Sequence, residues 1–228
     1  MSPFVIAFIS QKGGTSKTTT ALTLAVAAHQ SGKAVLVLDL DPQANMTSWH
    51  QSRADKSPLV QPTHPAALKP LLAQAAKQGV DWVVIDTAAG TDTSAAAAVD
   101  IADLVLIACR PSRFDLEAIA NSVRLCRVRD IVPRVVLTQI DVQGSMQDEA
   151  RAQLAQLGID VLPGGLGSRA AFRHSTLSGQ SVTEYEPHGK AAREAQTLYK
   201  SVCHLVAKVS RKQDDKPSSR QDNKESVA

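Results

Sequence analysis

Apolar residues along this chain fall in short unbroken runs separated by longer mixed stretches. The runs cover residues 4–9, 34–38, 82–85, 104–108 and 135–137, with a weaker one at 159–162. A run that does not alternate with polar residues predicts a strand covered on both faces, as in a parallel sheet between helices. The stretches between them repeat apolar residues at helical spacing. The clearest predict helices over 17–31, 116–129, 147–157 and 191–209. Alternation of the two patterns predicts a doubly wound α/β fold, a mostly parallel sheet flanked by helices.

Two segments break the pattern. Residues 51–70 carry Pro58, Pro62, Pro65 and Pro70 with little periodicity, which predicts a surface excursion leading into a helix near 71–78. Residues 210–228 are polar and charged without core positions, which predicts a disordered tail behind a single domain of residues 1–209.

Composition narrows the class. Hydrophobic residues make up 43% of the 228 and aromatics only 4%, so the core must be aliphatic. The net charge of +3 permits contact with nucleic acid without demanding it. Cys109, Cys126 and Cys203 lack metal-type spacing, and reduced thiols are expected. No basic region precedes an apolar stretch at the N-terminus, and no apolar run approaches the roughly 20 residues that span a bilayer. A cytoplasmic protein is expected.

The chemistry begins where the first strand ends. Residues 10–20 read Ser-Gln-Lys-Gly-Gly-Thr-Ser-Lys-Thr-Thr-Thr and run into a helix. Strand, glycine loop and helix N-terminus in that order make an anion cradle of backbone N–H groups and helix dipole. Small residues let the backbone come close, Lys17 would reach the β- and γ-phosphates, and Thr18 would offer its hydroxyl to Mg²⁺. The common phosphate-loop pattern is not met, because Gln11 and Ser16 stand where it has glycines. Serine would strain the loop if position 16 needs a positive φ. Two further strands end in acids: Asp39-Leu40-Asp41-Pro42-Gln43, and Asp86-Thr87-Ala88-Ala89-Gly90. Carboxylates at the C-terminal ends of parallel strands face the crevice where ligands bind.

The loop Lys12-Gly13-Gly14-Thr15-Ser16-Lys17-Thr18 resembles the deviant Walker A box of the ParA/MinD superfamily, and the chain is most similar to the small ParF-like partition proteins. The likeness extends over residues 3–209 and includes Thr47-Ser48-Trp49, the loop 109–115, and Arg169-Ala170-Ala171-Phe172. It implies an ATPase with ATP and Mg²⁺ in residues 12–19, with Thr19 the last of the set. Lys12 would cross a nucleotide-sandwich homodimer to the partner's phosphates. Asp41 would orient the attacking water, Thr18, Asp39 and Asp86 would serve the Mg²⁺ shell, and Gly90 would be the switch glycine. No acceptor pocket for a kinase is evident, so slow, partner-stimulated hydrolysis is expected. The residues facing the base stay unassigned, with Thr138 and Pro163 at suitable strand ends.

The resemblance also implies non-specific DNA binding by the ATP dimer, nucleoid association, and a ParB/ParG-like centromere-binding or adaptor partner. Basic residues gather late in the chain: Arg169, Arg173, Lys190, Arg193, Lys200, Lys208, Arg211 and Lys212. Lys190, Arg193 and Lys200 have the spacing of one helix face. Arg110, Arg113, Arg124, Arg127 and Arg129 form a second patch. The alternative is a MinD-like membrane-cycling ATPase. It would need a basic amphipathic helix at the extreme C-terminus, whereas Leu198, Val202, Leu205, Val206 and Val209 are expected to dock on the sheet. Trp49 and Trp82 are expected to pack, and His174 and His188 to be surface histidines.

Overall fold

Alternate residues of each central strand enter different cores. Ile6, Phe8, Val37, Val84 and Leu106 belong to one, and Val5, Ala7, Ile9, Leu38, Ile85 and Ile107 to the other. A strand packed on both sides has no solvent face, which explains the unbroken apolar runs. The computed structural model describes residues 2–90, 92–141 and 145–214. Its strands are β1 (Phe4–Ile9), β2 (Val35–Asp39), β3 (Leu59–Pro62), β4 (Trp82–Asp86), β5 (Leu104–Cys109) and β6 (Arg134–Leu137). They form one sheet in the order β3-β2-β4-β1-β5-β6, with every pair parallel.

The helices are α1 (Lys17–Gln30), α2 (Asn45–Ser52), α3 (Leu68–Lys77), α4 (Asp92–Val99), α5 (Arg113–Arg127), α6 (Met146–Gln156), α7 (Ala170–Leu177), α8 (Val182–Tyr185) and α9 (Lys190–Asp214). The first core is built with α1, α2 and α7–α9, the second with α3–α6. The tryptophans pack as expected. Trp82 lies 5.8 Å from the Tyr199 ring of α9, and Trp49 Nε1 donates to Gln180 O at 3.2 Å.

The excursion expected over 51–70 is more ordered than its prolines suggest. It holds the end of α2, the edge strand β3, a 3-10 turn at Pro65–Ala67 and the start of α3. β3 is short, buries only Val60, and ends in a proline, which an edge position tolerates. Arg53 anchors the segment from inside. Its guanidinium donates to both Glu184 carboxylate oxygens at 2.8 and 2.9 Å and to the carbonyls of Asp55, Ser57 and Gly179. It also stacks 4.6 Å from the Trp49 ring. The weak run at 159–162 forms a single bridge, Val161 to Val135, instead of a strand. α9 continues to Asp214, five residues past the expected domain end at 209, and the remaining tail lies outside the described residues. Leu198 and Val202 are buried in the first core, with Leu205 and Val206 packed against it.

Candidate functional site

Parallel strands all point their C-terminal ends one way, so β1, β2, β4 and β6 deliver their exit loops to one edge of the sheet. Register matters here. Asp39 pairs with Asp86 across β2 and β4, and Phe8 of β1 pairs with Asp86 on its other side. The acids and the glycine loop therefore meet although they lie far apart in sequence. A cleft of ≈ 510 Å³ opens there, lined by Lys12 to Thr19, by Asp41, Pro42, Gln43 and Asn45, and by Ala88 and Ala89. That volume suits a nucleotide-sized ligand.

The loop of residues 10–16 is shaped by its own polar groups. Ser10 Oγ donates to Lys12 O at 2.8 Å, and Thr15 Oγ1 donates to Ser10 Oγ at 3.0 Å. The first backbone bond of α1 runs from Thr20 N to Ser16 O, so the N–H groups of Lys17, Thr18 and Thr19 precede the helical ladder and face the cleft end of the helix. Ser16 takes φ 61° and ψ 27°, the left-handed conformation that its glycine-like position called for.

At the cleft floor Lys17 Nζ donates to Asp86 Oδ1 at 2.5 Å and to the Thr87 carbonyl. Asp86 is fully buried. Burial pushes its carboxyl up from the ordinary value, while the Lys17 ammonium and the Thr18 hydroxyl pull it back. Its second oxygen, Oδ2, is buried and accepts no hydrogen bond among the described residues. A buried carboxylate oxygen without a partner, beside a threonine hydroxyl, is a donor set that suits a hard divalent cation or its bound water.

Other expected residues are placed differently. Asp39 lies next to Asp86, but its oxygens are engaged. Oδ1 accepts Asp41 N at 3.1 Å, and Oδ2 accepts Thr47 N at 2.9 Å and Thr47 Oγ1 at 2.7 Å. It ties down the loop that carries Asp41, and it closes the first turn of α2 behind the left-handed Ala44. Asp41 itself stands at the cleft rim and accepts Gln43 N at 2.9 Å. Gly90 has φ 69° and donates its N–H to Ser10 O at 3.3 Å.

Lys12 turns toward its own chain. Its Nζ is 3.6 Å from Asp115 Oδ1 and 5.7 Å from the centre of the Phe114 ring, which is 70% exposed. Burial works against charge on Asp115. The Ser112 hydroxyl, the Arg110 guanidinium and the Lys12 ammonium outweigh it and hold the carboxyl below its ordinary value.

A second cavity of ≈ 230 Å³ adjoins the loop and shares Ser16 and Thr19 with the cleft. Gln139, the segment Leu166 to Arg169, Phe172, Arg173 and Thr176 complete its wall. Thr138 and Pro163, the strand-end positions noted beside the unassigned base contacts, do not line it. Thr138 is buried and donates Oγ1 to Thr15 O at 2.8 Å, supporting the loop from behind. Gln139 escaped the sequence reading, although it stands two residues past the end of β6, near where the crevice rule points.

The late basic residues divide into held and free. Arg169 is bonded to Glu194 at 2.6 and 2.8 Å, and the same carboxylate accepts Gly167 N at 2.9 Å. Arg193 donates to His188 O at 2.8 Å yet stays exposed. Lys190, Lys200, His204, Lys208 and Arg211 are exposed on the outer side of α9, and Arg173 is exposed on α7. Of the second patch, Arg110 is committed to Asp115, Arg113 to Glu117 and Arg129 to Asp100. His174 stacks edge-on to Tyr185, and among the described residues no metal-binding cluster of His, Cys, Asp and Glu forms.

A family model described as the CobQ/CobB/MinD/ParA nucleotide binding domain matches residues 6–182. The chain belongs to this family. It is thus a ParA/MinD-type P-loop protein, and the six-stranded parallel sheet is that family's fold. The chain is 33% identical over 209 residues to the maintenance of carboxysome distribution protein A of Gloeobacter kilaueensis, covering 88% of this chain and 92% of that one. It is 26% identical over 238 residues to the chromosome-partitioning ATPase Soj of Thermus thermophilus, covering 88% and 96%. Among solved structures, the septum site-determining protein MinD of Pyrococcus horikoshii, complexed with Mg-ADP, has the same fold. Its TM-score is 0.72 at 20% identity, with 91% and 98% coverage.

Proposed function

We propose that this protein is an ATP-hydrolysing positioning protein of the ParA kind, which dimerises on ATP, holds DNA without sequence preference and moves a cargo. The observation that carries the reading is the buried Lys17–Asp86 pair, with the second Asp86 oxygen unbonded among the described residues, beneath the N-terminus of α1. That floor supplies one fixed cation, a helix N-terminus and an anionic counterpart, which is what a polyphosphate with its counter-ion requires. Residues 12–19 bind the phosphates. Thr18 and Asp86 hold Mg²⁺, which when bound neutralises phosphate charge. Asp39 acts as a positioning residue for the loop of Asp41, and Asp41 at the rim accepts a hydrogen bond from the attacking water. Gly90 senses the γ-phosphate by trading its bond to Ser10.

Lys12 leaves Asp115 when two ATP-loaded copies meet and reaches the partner's phosphates. The exposed cations Arg173, Lys190, Arg193 and Lys200 receive DNA backbone, and Arg169 shapes that surface through Glu194. The names of the relatives, one for carboxysome distribution and one for chromosome partitioning, support a large cellular body as cargo and an adaptor protein as its link. A membrane cycle is disfavoured because the apolar side of α9 is packed on the core.

The test is DNA binding by the purified protein with ATP, with ADP and without nucleotide, at several salt concentrations. Binding only with ATP, weakening with salt and absent in Lys12→Ala, is expected. Pelleting with anionic liposomes in place of DNA would overturn the DNA half of the reading.

A further inference from the structure

The phosphate loop is held by a residue two strands away in the sheet, past the end of β6. Two left-handed residues face each other there, Ser16 at φ 61° and Gln139 at φ 51°. Neither is glycine, so each carries the steric cost that an L side chain meets in this region. Such a conformation persists only where neighbouring bonds fix it.

The bonds are present. Gln139 Nε2 donates to Gly14 O at 2.8 Å and to Ser16 Oγ at 2.8 Å. A carboxamide nitrogen has two hydrogens, and both are used. The Gly14 carbonyl can only accept, so the amide must present its nitrogen to the loop. The preceding residue, Thr138, donates to Thr15 O at 2.8 Å. Two consecutive residues after β6 therefore hold three consecutive residues of the loop after β1.

We propose that Gln139 is a positioning residue for the phosphate loop, one that supplies through side-chain bonds the conformation that glycine at position 16 would reach unaided. The same residue lines the 230 Å³ cavity beside the loop, so it joins that cavity mechanically to the phosphate cleft. The inference rests on reading the loop as a nucleotide site.

The experiment uses the full chain as wild type, Gln139→Ala, Gln139→Glu, Ser16→Gly and the two double variants. ADP affinity is measured by calorimetry, and amide hydrogen exchange of residues 13–17 is followed without nucleotide. In the serine background, Gln139→Ala should weaken ADP about tenfold and speed exchange across the loop. Gln139→Glu keeps the length but loses both donors, so it should do at least as much. In the Ser16→Gly background the effect should shrink to about threefold, because only the Gly14 bond is then lost. Wild-type behaviour of Gln139→Glu, or an equal effect in both backgrounds, would overturn the proposal. If the wild type takes up no ADP, the nucleotide reading fails, and the exchange rates in the two backgrounds still decide the role of Gln139.

Discussion

The Lys17 ammonium lies 2.5 Å from Asp86 Oδ1 at the bottom of the cleft, where Asp86 meets no solvent at all. The pair serves two ends. It presents a cation to the cleft, and it neutralises a carboxylate that β4 drives into the core. Lys17→Ala should therefore lose nucleotide binding and also destabilise the fold by about 3 kcal/mol, because an uncompensated charge remains buried. The two effects separate in Lys17→Ala/Asp86→Asn, which should recover most of the melting temperature and none of the binding. Calorimetry and thermal unfolding on the three proteins check this. Wild-type ADP affinity in Lys17→Ala would remove the core of the functional reading.

Asp41 poses the opposite case. It sits at the rim, its carboxylate accepts the Gln43 amide, and among the described residues it makes no bond to Lys17 or the loop. Asp41→Ala should bind ATP as wild type does, hydrolyse it at least a hundredfold more slowly, the scale of about 10²–10⁴ expected for losing a proton acceptor, and accumulate as dimer. Phosphate release and light scattering give the two readouts. Normal turnover would mean that another group orients the water.

How much of this was legible depends on where the information sits. β1, β2, β4 and β5 announce themselves because both faces are buried, and Asp86, at the end of a common kind of strand, becomes legible through the glycine loop upstream. β3 is not, since an edge strand with one buried residue carries no apolar run. α4 is an alanine-rich segment without periodicity, and α2 is closed by Asp39, whose bond to Thr47 spans eight residues. The Lys12–Asp115 and Gln139–Ser16 contacts are tertiary and leave no local trace. The same holds for Arg169: its charge is visible in sequence, while its commitment to Glu194 is visible only in the fold.

The thiols offer a check on the core. Burial pushes the Cys109 thiol up to about 12, with the Asp115 carboxylate adding to it, and pushes the Cys126 thiol up to about 12 as well. At pH 8 each should then hold a thiolate fraction of about 10⁻⁴, too little for alkylation on the scale of hours. Cys203, half-buried on α9, is the expected site of reaction. Native protein treated with iodoacetamide should carry its label at Cys203, and unfolded protein at all three cysteines. Rapid native labelling of Cys109, which lines a small pocket with Lys12 and Asp115, would show that the Lys12 side of the loop opens to solvent.

The proposed DNA surface can be tested by dividing the basic residues according to what holds them. Arg169 is bound to Glu194, which also fixes the Gly167 amide. Charge reversal there should lower the melting temperature, and any loss of DNA binding would be a consequence of misplacing residues 166–169. Lys200 and Lys208 carry no such duty. They stand exposed on the outer side of α9, eight residues apart and so about 12 Å along the helix, close enough to meet neighbouring phosphates. Lys200→Glu/Lys208→Glu should leave the melting temperature and ATP affinity unchanged. It should weaken DNA binding in ATP and flatten the plot of log affinity against log salt by about 0.9 for each lost phosphate contact. An unaltered slope would move the DNA contact off α9, with Arg173 on α7 the next residue to reverse.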